Sequence, residues 1–392
     1  MTTTTVQRAY KFRFYPDTQQ QELLLRTFGC VRVVYNKALE ERTRAWRLEG
    51  RSISYAESDK MLTGWKKTDE LAFLNEVSSV PLQQALRHLQ SGFQNFWNKQ
   101  GEYPRFKSRK KSRRSATFTK SAFRWNAELR ELKLAKTTAP LNVVWSRELP
   151  AETTPSTVTI SQDFSGRWFI SMLVETQIEQ LPALNNAVGI DLGVADLAVL
   201  STGEKIAAPR YSAAEARRLA RAQREASRKQ LGSANRAKAN RKVARIHAGI
   251  TDRRRDYLHK LSTRLIRENQ TIVLEELAVS AMSRRGGACK KGLNRAIADA
   301  SMAELRSMLE YKARWYGREV IVINRWAPTT QMCSECAAIT GPKDRKSLKV
   351  RAWTCSACGA HQDRDVNAAK NILAAGQAAS VCGDGRSLRH SS

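Results

Sequence analysis

The sequence predicts an α/β chain that also contains a β-barrel. Two apolar runs with the length of strands, residues 187–200 and 271–277, alternate with long helical tracts, as expected of an α/β domain. Before them, residues 122–176 form short alternating runs separated by Gly, Asp and Pro, a pattern typical of a small β-barrel. A chain of 392 residues is long enough for two or three domains.

The composition restricts the partners of the chain. It has 67 Lys and Arg against 37 Asp and Glu, a formal net charge of +30, which predicts a polyanionic partner. A membrane surface is the rival polyanion, but the sequence has no apolar run of about 18 residues and no apolar signal-peptide core near its start. We therefore expect a cytoplasmic protein that binds nucleic acid and has no membrane partner.

The amino-terminal part predicts one strand followed by helices. After a Thr-rich start that we expect to be disordered, residues 9–15 alternate apolar and basic side chains as a strand does. Pro16 and Asp17 begin a helix whose apolar face continues past Gly29, which predicts two helices or one broken helix. A further helix beginning near Pro81 carries a stripe of leucines and phenylalanines, which we interpret as core packing.

A basic segment covers residues 105–114, where seven of ten residues are Lys or Arg and none is acidic. A solvated loop is the ordinary interpretation of such a charge run. The interleaved aromatic residues favour the alternative, contact with a nucleic-acid backbone and stacking of its bases. The residues predicted to make this contact are Tyr103, Arg105, Phe106, Lys107, Arg109, Lys110, Lys111, Arg113 and Arg114.

A second basic region lies in the long helical tract of residues 212–269. Residues 210–267 include 18 Lys or Arg against four Asp or Glu, and the first half of the tract has few apolar residues. Such a tract cannot be wholly core. We therefore expect it to face phosphate groups, with Arg253 and Arg254 among the contacts.

Three acidic residues stand where apolar side chains are otherwise expected. Asp191 lies in an apolar strand that opens a three-stranded antiparallel meander, Glu275 ends a second apolar strand, and Asp365 lies at the start of a helix. An unpaired carboxylate in a strand is costly to bury, although an acid at an exposed strand end is the simpler interpretation. If the three carboxylates converge, they suit Mg²⁺ or Mn²⁺, and two such ions assist phosphodiester hydrolysis.

Four of the seven cysteines form two Cys-x-x-Cys pairs with 18 residues between the pairs. This spacing predicts one structural zinc ion held by four thiolates. Four reduced thiols without a metal are the alternative, and His361 is a weaker ligand candidate. The predicted zinc ligands are Cys333, Cys336, Cys355 and Cys358.

Together these segments resemble the TnpB family of transposon-encoded, RNA-guided DNA endonucleases, which are relatives of the type V CRISPR effectors. Besides the acidic segments and the cysteine pairs, the match includes residues 11–16, 29–36 and 104–108, and it extends from about Gln7 to Leu373. The resemblance implies an RNase H-like (RuvC) nuclease domain with a four-cysteine zinc ribbon insert. It also implies a preceding wedge-like β-barrel with a helical insertion, closed by the first strand.

The resemblance implies a set of domain boundaries as well. They are the first barrel strand in 1–16, a helical recognition insertion in 17–120, the rest of the barrel in 121–180, the nuclease domain in 181–328, the zinc ribbon in 329–360, the third nuclease motif in 361–376 and a disordered tail in 377–392.

In the family, the acids that match Asp191, Glu275 and Asp365 are catalytic, and the resemblance implies that they hold two Mg²⁺ or Mn²⁺ ions. Asp365 is preferred to Asp363 because the family's Asn-Ala-Ala run follows it after one residue. Family members often have Gly after the second cysteine of each pair. Here Ala337 occupies the first of these positions, a departure that bears on turn geometry.

The implied activity is cleavage of double-stranded target DNA next to a short adjacent motif. A guide RNA derived from the transposon end would select the target, in the nucleoid of a prokaryote. Three alternatives stay open: an RNA-guided DNA-binding regulator that does not cleave, a CRISPR-associated effector of the same build, and an unguided nuclease or accessory transposase. The three intact acids weigh against the regulator. The sequence does not predict an oligomeric state.

Overall fold

The computed structural model describes residues 3–150, 153–277, 288–342 and 350–382, together with Met282. The chain forms two compact units, one of Thr5–Gln177 and one of Ile178–Ser392 together with Met1–Thr4. Of the predicted disordered tail, residues 377–382 instead belong to the helix Arg364–Cys382, which their alanine-containing sequence continues, and the rest, from residue 383 onward, lies outside the described residues. No helix of the described ranges combines the length and the apolar composition that a membrane crossing requires.

The first unit contains three α-helices, a five-stranded sheet and a two-stranded hairpin. Its helices are α1 (Thr18–Glu49), α2 (Tyr55–Trp65) and α3 (Ser79–Trp97). Its strands are β1 (Thr3–Phe14), β2 (Arg114–Thr119), β3 (Phe123–Asn126), β4 (Glu131–Leu134), β5 (Val143–Val144), β6 (Thr157–Gln162) and β7 (Trp168–Glu179). The sheet order is β2-β6-β7-β1-β5, and β3 pairs with β4.

The core of the first unit lies between the sheet and the helices. Tyr10, Phe12 and Phe14 of β1 are buried in it, together with Leu89 and Phe93 of α3. The interpretation of the α3 stripe as core packing is therefore confirmed for its leucines and for Phe93, whereas Phe96, near the end of the helix, is exposed. Because β2 and β5 stand at the two ends of the sheet order, closure into a barrel remains a prediction.

Two expectations for the amino-terminal part were wrong. The Thr-rich start is not disordered from Thr3 onward, because it belongs to β1, and its β-branched residues favour extended backbone. The segment expected as two helices or one broken helix is the single helix α1, which runs through Gly29 without interruption. Asp17 caps α1 by accepting a hydrogen bond from the backbone N–H of Gln20 at 2.8 Å, and the apolar face that continues past Gly29 holds the helix together.

The second unit is a three-layered α/β structure. Its strands are β8 (Ala187–Leu192), β9 (Asp196–Leu200), β10 (Lys205–Ala207), β11 (Thr271–Glu275), β12 (Glu319–Ile323), β13 (Ala352–Thr354) and β14 (His361–Asp363). Its helices are α4 (Tyr211–Ala214), α5 (Ala216–Ser227), α6 (Ala234–Glu268), α7 (Ala288–Ala300), α8 (Met302–Tyr316) and α9 (Arg364–Cys382).

The main sheet of the second unit has the order β10-β9-β8-β11-β12. The first three strands are antiparallel, which confirms the predicted meander, and β11 is parallel to both β8 and β12. Successive side chains of β11 point to opposite faces. Accordingly, Ile272 and Leu274 pack with α6 and α8, whereas Val273 packs with Ile372 of α9. The sheet thus has a helical layer on each side.

Candidate active site

The first two predicted acids lie side by side at one end of the main sheet. Leu274 of β11 pairs with Ile190 of β8 in parallel register, so the next residues, Glu275 and Asp191, follow on neighbouring strands. Both side chains are half-buried. Glu276, which follows Glu275, is exposed, and its backbone N–H donates to Ile323 O at 3.1 Å. The strands therefore bring Asp191 and Glu275 together, while Glu276 points elsewhere.

The third acid is brought to the same place by the close packing of α9 on β8. A Cβ at Gly189 would lie 2.2 Å from the carbonyl oxygen of Ala369 and 2.6 Å from the backbone nitrogen of Leu373. Only glycine permits this approach of helix to strand. Asp365 lies one helical turn before Ala369, so the first turn of α9 faces the end of β8 that carries Asp191.

A second glycine fixes the other half of α9. A Cβ at Gly376 would lie 2.4 and 2.6 Å from the two γ-carbons of Val273 in β11. Because valine is stiff about its first side-chain torsion, it has little room to yield. Gly189 and Gly376 therefore set the distance of α9 from two neighbouring strands, a role that no local sequence pattern predicts for either residue.

The three carboxylates interact electrostatically. Burial raises the pKa of Asp191 to about 6, and the charge of Asp365 adds to this shift. Burial likewise raises the pKa of Glu275 to about 7, with a further contribution from Asp191 and an opposing hydrogen bond from Thr329. Within the described part of the chain, only the cysteine group has all its ligand atoms within 4.8 Å of one another. The carboxylates are thus close enough to repel but more widely spaced than the thiols.

Two arginines that no sequence pattern marked contact Asp365. The Nη1 atom of Arg351 lies 2.9 Å from Asp365 Oδ2, and the Nε atom of Arg364 lies 3.7 Å from Oδ1. Arg364 also opposes the upward shift in the pKa of Asp191. Arg351 reaches the site because Ala352 of β13 pairs with Asp363 of β14. These guanidinium groups offset part of the repulsion among the carboxylates.

Asp363 has a different environment from Asp365. Its Oδ1 accepts hydrogen bonds from the backbone N–H groups of Asp365 and Val366, each at 3.1 Å, and its Oδ2 lies 2.6 Å from the Nζ of Lys205. These are the contacts of a helix N-cap with a surface ion pair. The geometry supports the preference for Asp365 as the metal ligand of the third motif, which stays a prediction.

Asn367 connects α9 to the segment that leads into the first cysteine pair. Its buried side chain donates to Met332 O at 2.8 Å and accepts from the N–H of Ser334 at 2.8 Å. Asn371, one turn later, donates to Thr329 O and Met332 O at 2.8 and 2.7 Å. The amides at these two positions therefore join the cysteine insert to the helix that carries Asp365.

The four predicted zinc ligands form one cluster. Their sulfur atoms all lie within 4.8 Å of one another, and two of the distances are 3.8 Å from Cys333 to Cys358 and 3.6 Å from Cys336 to Cys355. Tetrahedral zinc with sulfur ligands at about 2.3 Å requires sulfur separations of about 3.8 Å. The donor set therefore fits zinc. His361 is exposed and does not belong to the cluster.

Each cysteine pair forms the same small turn. The N–H of Ala337 donates to Cys333 O, and the N–H of Gly359 donates to Cys355 O, both at 2.9 Å. Ala337 and Gly359 both have a positive φ, 61° and 75°. In the second turn the hydroxyl of Thr340 donates to Cys355 Sγ at 3.2 Å and lowers the pKa of that thiol to about 6. This hydrogen bond favours the thiolate form of Cys355, the form in which a cysteine binds a metal, whereas the neighbouring thiols raise the pKa of Cys358 to about 12.

The basic segment of the first unit is held in place at several points. Tyr103 packs edge-on against Phe93 and Phe96, and Arg105 pairs with Glu102. The ammonium group of Lys107 lies 3.9 Å from the centre of the Tyr35 ring. The other predicted contacts are the exposed Phe106, Arg109, Lys110, Lys111 and Arg113, and Arg114, which donates to Gln162 Oε1 at 2.6 Å.

Arg253 and Arg254 are engaged within the second unit. Arg253 lies 2.7 Å from Glu215, and Arg254 lies 2.6 Å from Asp299. Only 17% of the Arg254 side chain is exposed, and it also donates to the hydroxyl of Ser212 at 3.0 Å. Arg254 therefore ties α6 to α7 and α4, and contact of these two arginines with nucleic acid stays a prediction.

Comparison with known proteins identifies the family. Family models match a helix-turn-helix domain over residues 1–51, a probable transposase over residues 169–286 and the TNB domain of Cas12f1-like proteins over residues 303–372. A Streptomyces pristinaespiralis protein named "Putative RNA-guided DNA endonuclease" is 60% identical over 388 residues, 99% of this chain and 94% of that protein. The chain belongs to the TnpB family.

Other family relationships extend over nearly the whole chain. The Escherichia coli protein InsQ, which has the same descriptive name, is 34% identical over 392 residues, 96% of this TnpB-family chain and 94% of InsQ. Among solved structures, the Cas12f1 chain of a complex with sgRNA and target DNA matches with a TM-score of 0.56 at 13% identity. This match covers 94% of the present chain and 99% of the Cas12f1 chain, and it shows that the two share a fold.

Proposed function

We propose that the chain is a transposon-encoded, RNA-guided DNA endonuclease that cleaves its target next to a short adjacent motif. The convergence of Asp191, Glu275 and Asp365 at one end of the main sheet carries the proposal. The 60% identity to a relative named for this activity supports it. The sheet order, an antiparallel meander followed by two parallel strands, supports the RNase H-like assignment of the second unit.

The three carboxylates suit a hard divalent cation. They are oxygen donors, they repel one another, and burial disfavours the charged forms of Asp191 and Glu275, so a bound cation would stabilise the site. Asp191, Glu275 and Asp365 would hold two Mg²⁺ or Mn²⁺ ions, which stabilise the attacking and leaving oxygens of a phosphodiester. The strands β8 and β11 hold the first two carboxylates on rigid backbone, and α9 holds the third.

The basic surfaces support the RNA and DNA partners. A formal net charge of +30 exceeds what a single active-site groove requires, and a folded RNA would neutralise much of it. In an RNA-guided enzyme, base pairing reads the target sequence while the protein holds the backbones and reads the adjacent motif. The guide would derive from the transposon end, as the family resemblance implies.

The test of guidance compares protein freed of nucleic acid at high salt with protein reconstituted with a guide RNA. Each is incubated with Mg²⁺ and with a matched or a mismatched DNA duplex. We expect cleavage of the matched duplex by the reconstituted complex alone, and the target should change when the guide segment is changed. If RNA-free protein cuts both duplexes equally and the guide has no effect, the chain is an unguided nuclease.

The test of the carboxylate centre compares Asp365→Ala with Asp363→Ala in the reconstituted complex. Losing a metal ligand should slow cleavage at least about a hundredfold, whereas losing the helix cap should cost about 1 kcal/mol of stability and most of the activity should remain. Gel-shift binding of target DNA should persist in both variants. A complex in which Asp363→Ala is the more damaging change would overturn the assignment of the third motif.

A further inference from the structure

A pocket in the first unit lies between α1 and the basic segment. It has a volume of about 300 Å³, and three apolar residues line one part of it: the half-buried Leu25 and the core residues Phe28 and Val31. Gly29 of α1 also lines it, and a Cβ at this position would meet no atom within 4 Å. The charge run predicts contacts along the basic segment, but no sequence pattern marks this cavity or the part of α1 that lines it.

The pocket is a built feature, because specific hydrogen bonds hold the basic segment against α1. The side-chain amide of Asn36 donates to Lys107 O at 3.0 Å and accepts from the N–H of Lys107 at 2.8 Å. The segment then closes on itself, since the N–H of Ser108 donates to Ser112 Oγ at 2.8 Å and the N–H of Ser112 donates to Ser108 O at 2.9 Å. The lining residues are thereby presented in one arrangement.

The polar part of the lining is cationic. It contains five basic side chains and no acidic one: Arg32, Lys107, Arg109, Arg113 and Arg114. Among the described residues, no carboxylate lies within ion-pair distance of Arg32, Lys107, Arg109 or Arg113. Burial lowers the pKa of Lys107. Like charges gathered without counter-ions repel one another, so an anion in the pocket would stabilise it.

The pocket also has features that a bare phosphate does not need. Its volume falls at the lower end of the range for small-molecule sites, and its apolar side suits a base or a sugar. The hydroxyl groups of Ser108 and Ser112 accept backbone hydrogen bonds, which leaves their protons for a ligand. An anionic group joined to a flat or apolar group meets these conditions.

We propose that this pocket binds one nucleotide of a nucleic-acid strand, with its phosphate among the basic side chains and its base or sugar against Leu25, Phe28 and Val31. The proposal deepens the assignment of nucleic-acid partners, but it concerns binding in the first unit. It is therefore tested without cleavage, and it can fail while the proposed endonuclease activity stands, or the reverse.

The first test fills the pocket without removing a charge. A Cβ at Gly29 meets no atom within 4 Å, and in Gly29→Leu the new residue favours the helix more than glycine does. The matched control is Gly64→Leu in α2, where a Cβ also meets nothing within 4 Å. Full-length, RNA-free protein is titrated against fluorescein-labelled uridine RNA and thymidine DNA of about 12 nucleotides, and its unfolding temperature is measured.

We expect Gly29→Leu to weaken binding of at least one strand about tenfold with no fall in unfolding temperature, while Gly64→Leu binds as the wild-type protein does. A loss of affinity for RNA alone would show that the pocket binds a ribonucleotide. An equal loss of affinity for RNA and DNA would show that the pocket recognises only the phosphate and the base. A folded Gly29→Leu protein that binds both strands normally would overturn the proposal.

The second test removes charge and remains informative if Gly29→Leu does not fold. Arg32→Gln should reduce the slope of the logarithm of affinity against the logarithm of salt concentration by about 0.7 for a single strand. Arg47→Gln removes the same charge from an exposed site of the same helix and should leave the slope unchanged. Equal effects of the two variants would indicate diffuse attraction to the basic surface, and no nucleotide pocket.

Discussion

The second unit contains two candidate metal sites that are built in opposite ways. In the cysteine site, two turns of nearly identical hydrogen bonding each supply two ligands, and all four sulfur atoms lie within 4.8 Å of one another. In the carboxylate site, Asp191, Glu275 and Asp365 come from two strands and a helix that are far apart in sequence. Their spacing is wider, and Arg351 and Arg364 contact Asp365.

The difference shows which part of the structure positions the ligands of each site. The cysteine site is specified within two short segments, so a metal can complete it by drawing four nearby thiolates together. The carboxylate site depends on the core of the unit, because the pairing of β8 with β11 and the contact of α9 with Gly189 place its ligands. Substitutions that damage the cysteine site should therefore be those of its ligands. The carboxylate site should also be damaged by substitutions that change packing far from its ligands.

Removing zinc should have the largest effect on the cysteine site. Zinc binding in such sites contributes about 10 kcal/mol or more to the folding of small domains. Cys355→Ser should lose the expected one zinc ion per chain and lower the unfolding temperature of the second unit. Zinc content and calorimetric unfolding provide the measurements. The exposed neighbouring change Ser356→Ala is the control, and a Cys355→Ser protein that retains one zinc would show that the thiols are not its ligands.

Gly189→Ala should damage the carboxylate site without touching a carboxylate. The added methyl group would meet backbone atoms at 2.2 and 2.6 Å, so α9 must move, at a cost of about 3 kcal/mol. A displacement of about 1 Å in Asp365 would reduce cleavage about a hundredfold. Zinc content should remain near normal, which separates the two sites.

Gly249→Ala in α6 is the matched control, because a Cβ there meets no atom within 4 Å and alanine stabilises a helix by about 1 kcal/mol relative to glycine. Both variants are compared by thermal unfolding and by cleavage in the reconstituted complex. Wild-type cleavage and stability in Gly189→Ala would mean that α9 does not lie against β8 as described.

The contrast also explains what sequence could predict. Cysteine spacing is a local pattern, so it identified all four thiols of the cluster, and acids within apolar runs predicted Asp191 and Glu275, which lie on neighbouring strands. Gly189, Arg351 and Asn371 act through residues distant in sequence, and no local pattern marks them. Nor could a count of charges show that Arg254 faces Asp299, because the side of the helix on which an arginine lies determines whether it faces solvent or the protein.

The pH dependence of stability should differ between protein without Mg²⁺ and protein with Mg²⁺ at the carboxylate site. Asp191 has an ordinary pKa near 3.8, raised to about 6 by folding, so the folded state binds the proton more tightly. The stabilisation that protonation of Asp191 contributes is therefore fully present below pH 4. It is lost as the pH rises through 6, which lowers the free energy of unfolding by roughly 2–3 kcal/mol. Glu275, with a pKa of about 7, extends the loss in the same direction.

Unfolding of protein without Mg²⁺, followed from pH 5 to 8 with the zinc content measured at each pH, checks this expectation, because acid protonates the thiolates and releases zinc. Asp191→Asn should flatten the decline, and Mg²⁺ should stabilise the wild-type protein more at pH 8 than at pH 5, because the ions compete with protons. Equal pH profiles for the wild-type protein and Asp191→Asn would show that Asp191 does not titrate in this range.

The smallest expected effect lies in the cysteine site and concerns backbone strain. Ala337 has φ of 61° and occupies the position that Gly359 occupies in the second turn. A left-handed conformation costs an alanine about 1 kcal/mol, whereas a glycine adopts it freely but loses more entropy on folding. Ala337→Gly should therefore stabilise the zinc-loaded protein by a net of about 0.5 kcal/mol.

Gly359→Ala is the reciprocal change, and it should destabilise the protein by about 1 kcal/mol because it places a second Cβ in the same strained conformation. Both variants should bind one zinc, since the N–H groups at these positions continue to donate to Cys333 O and Cys355 O. Chemical denaturation at saturating zinc resolves differences of this size. If Ala337→Gly is less stable than the wild-type protein, the first turn does not require the left-handed backbone. The two turns would then resemble each other only in their ligands.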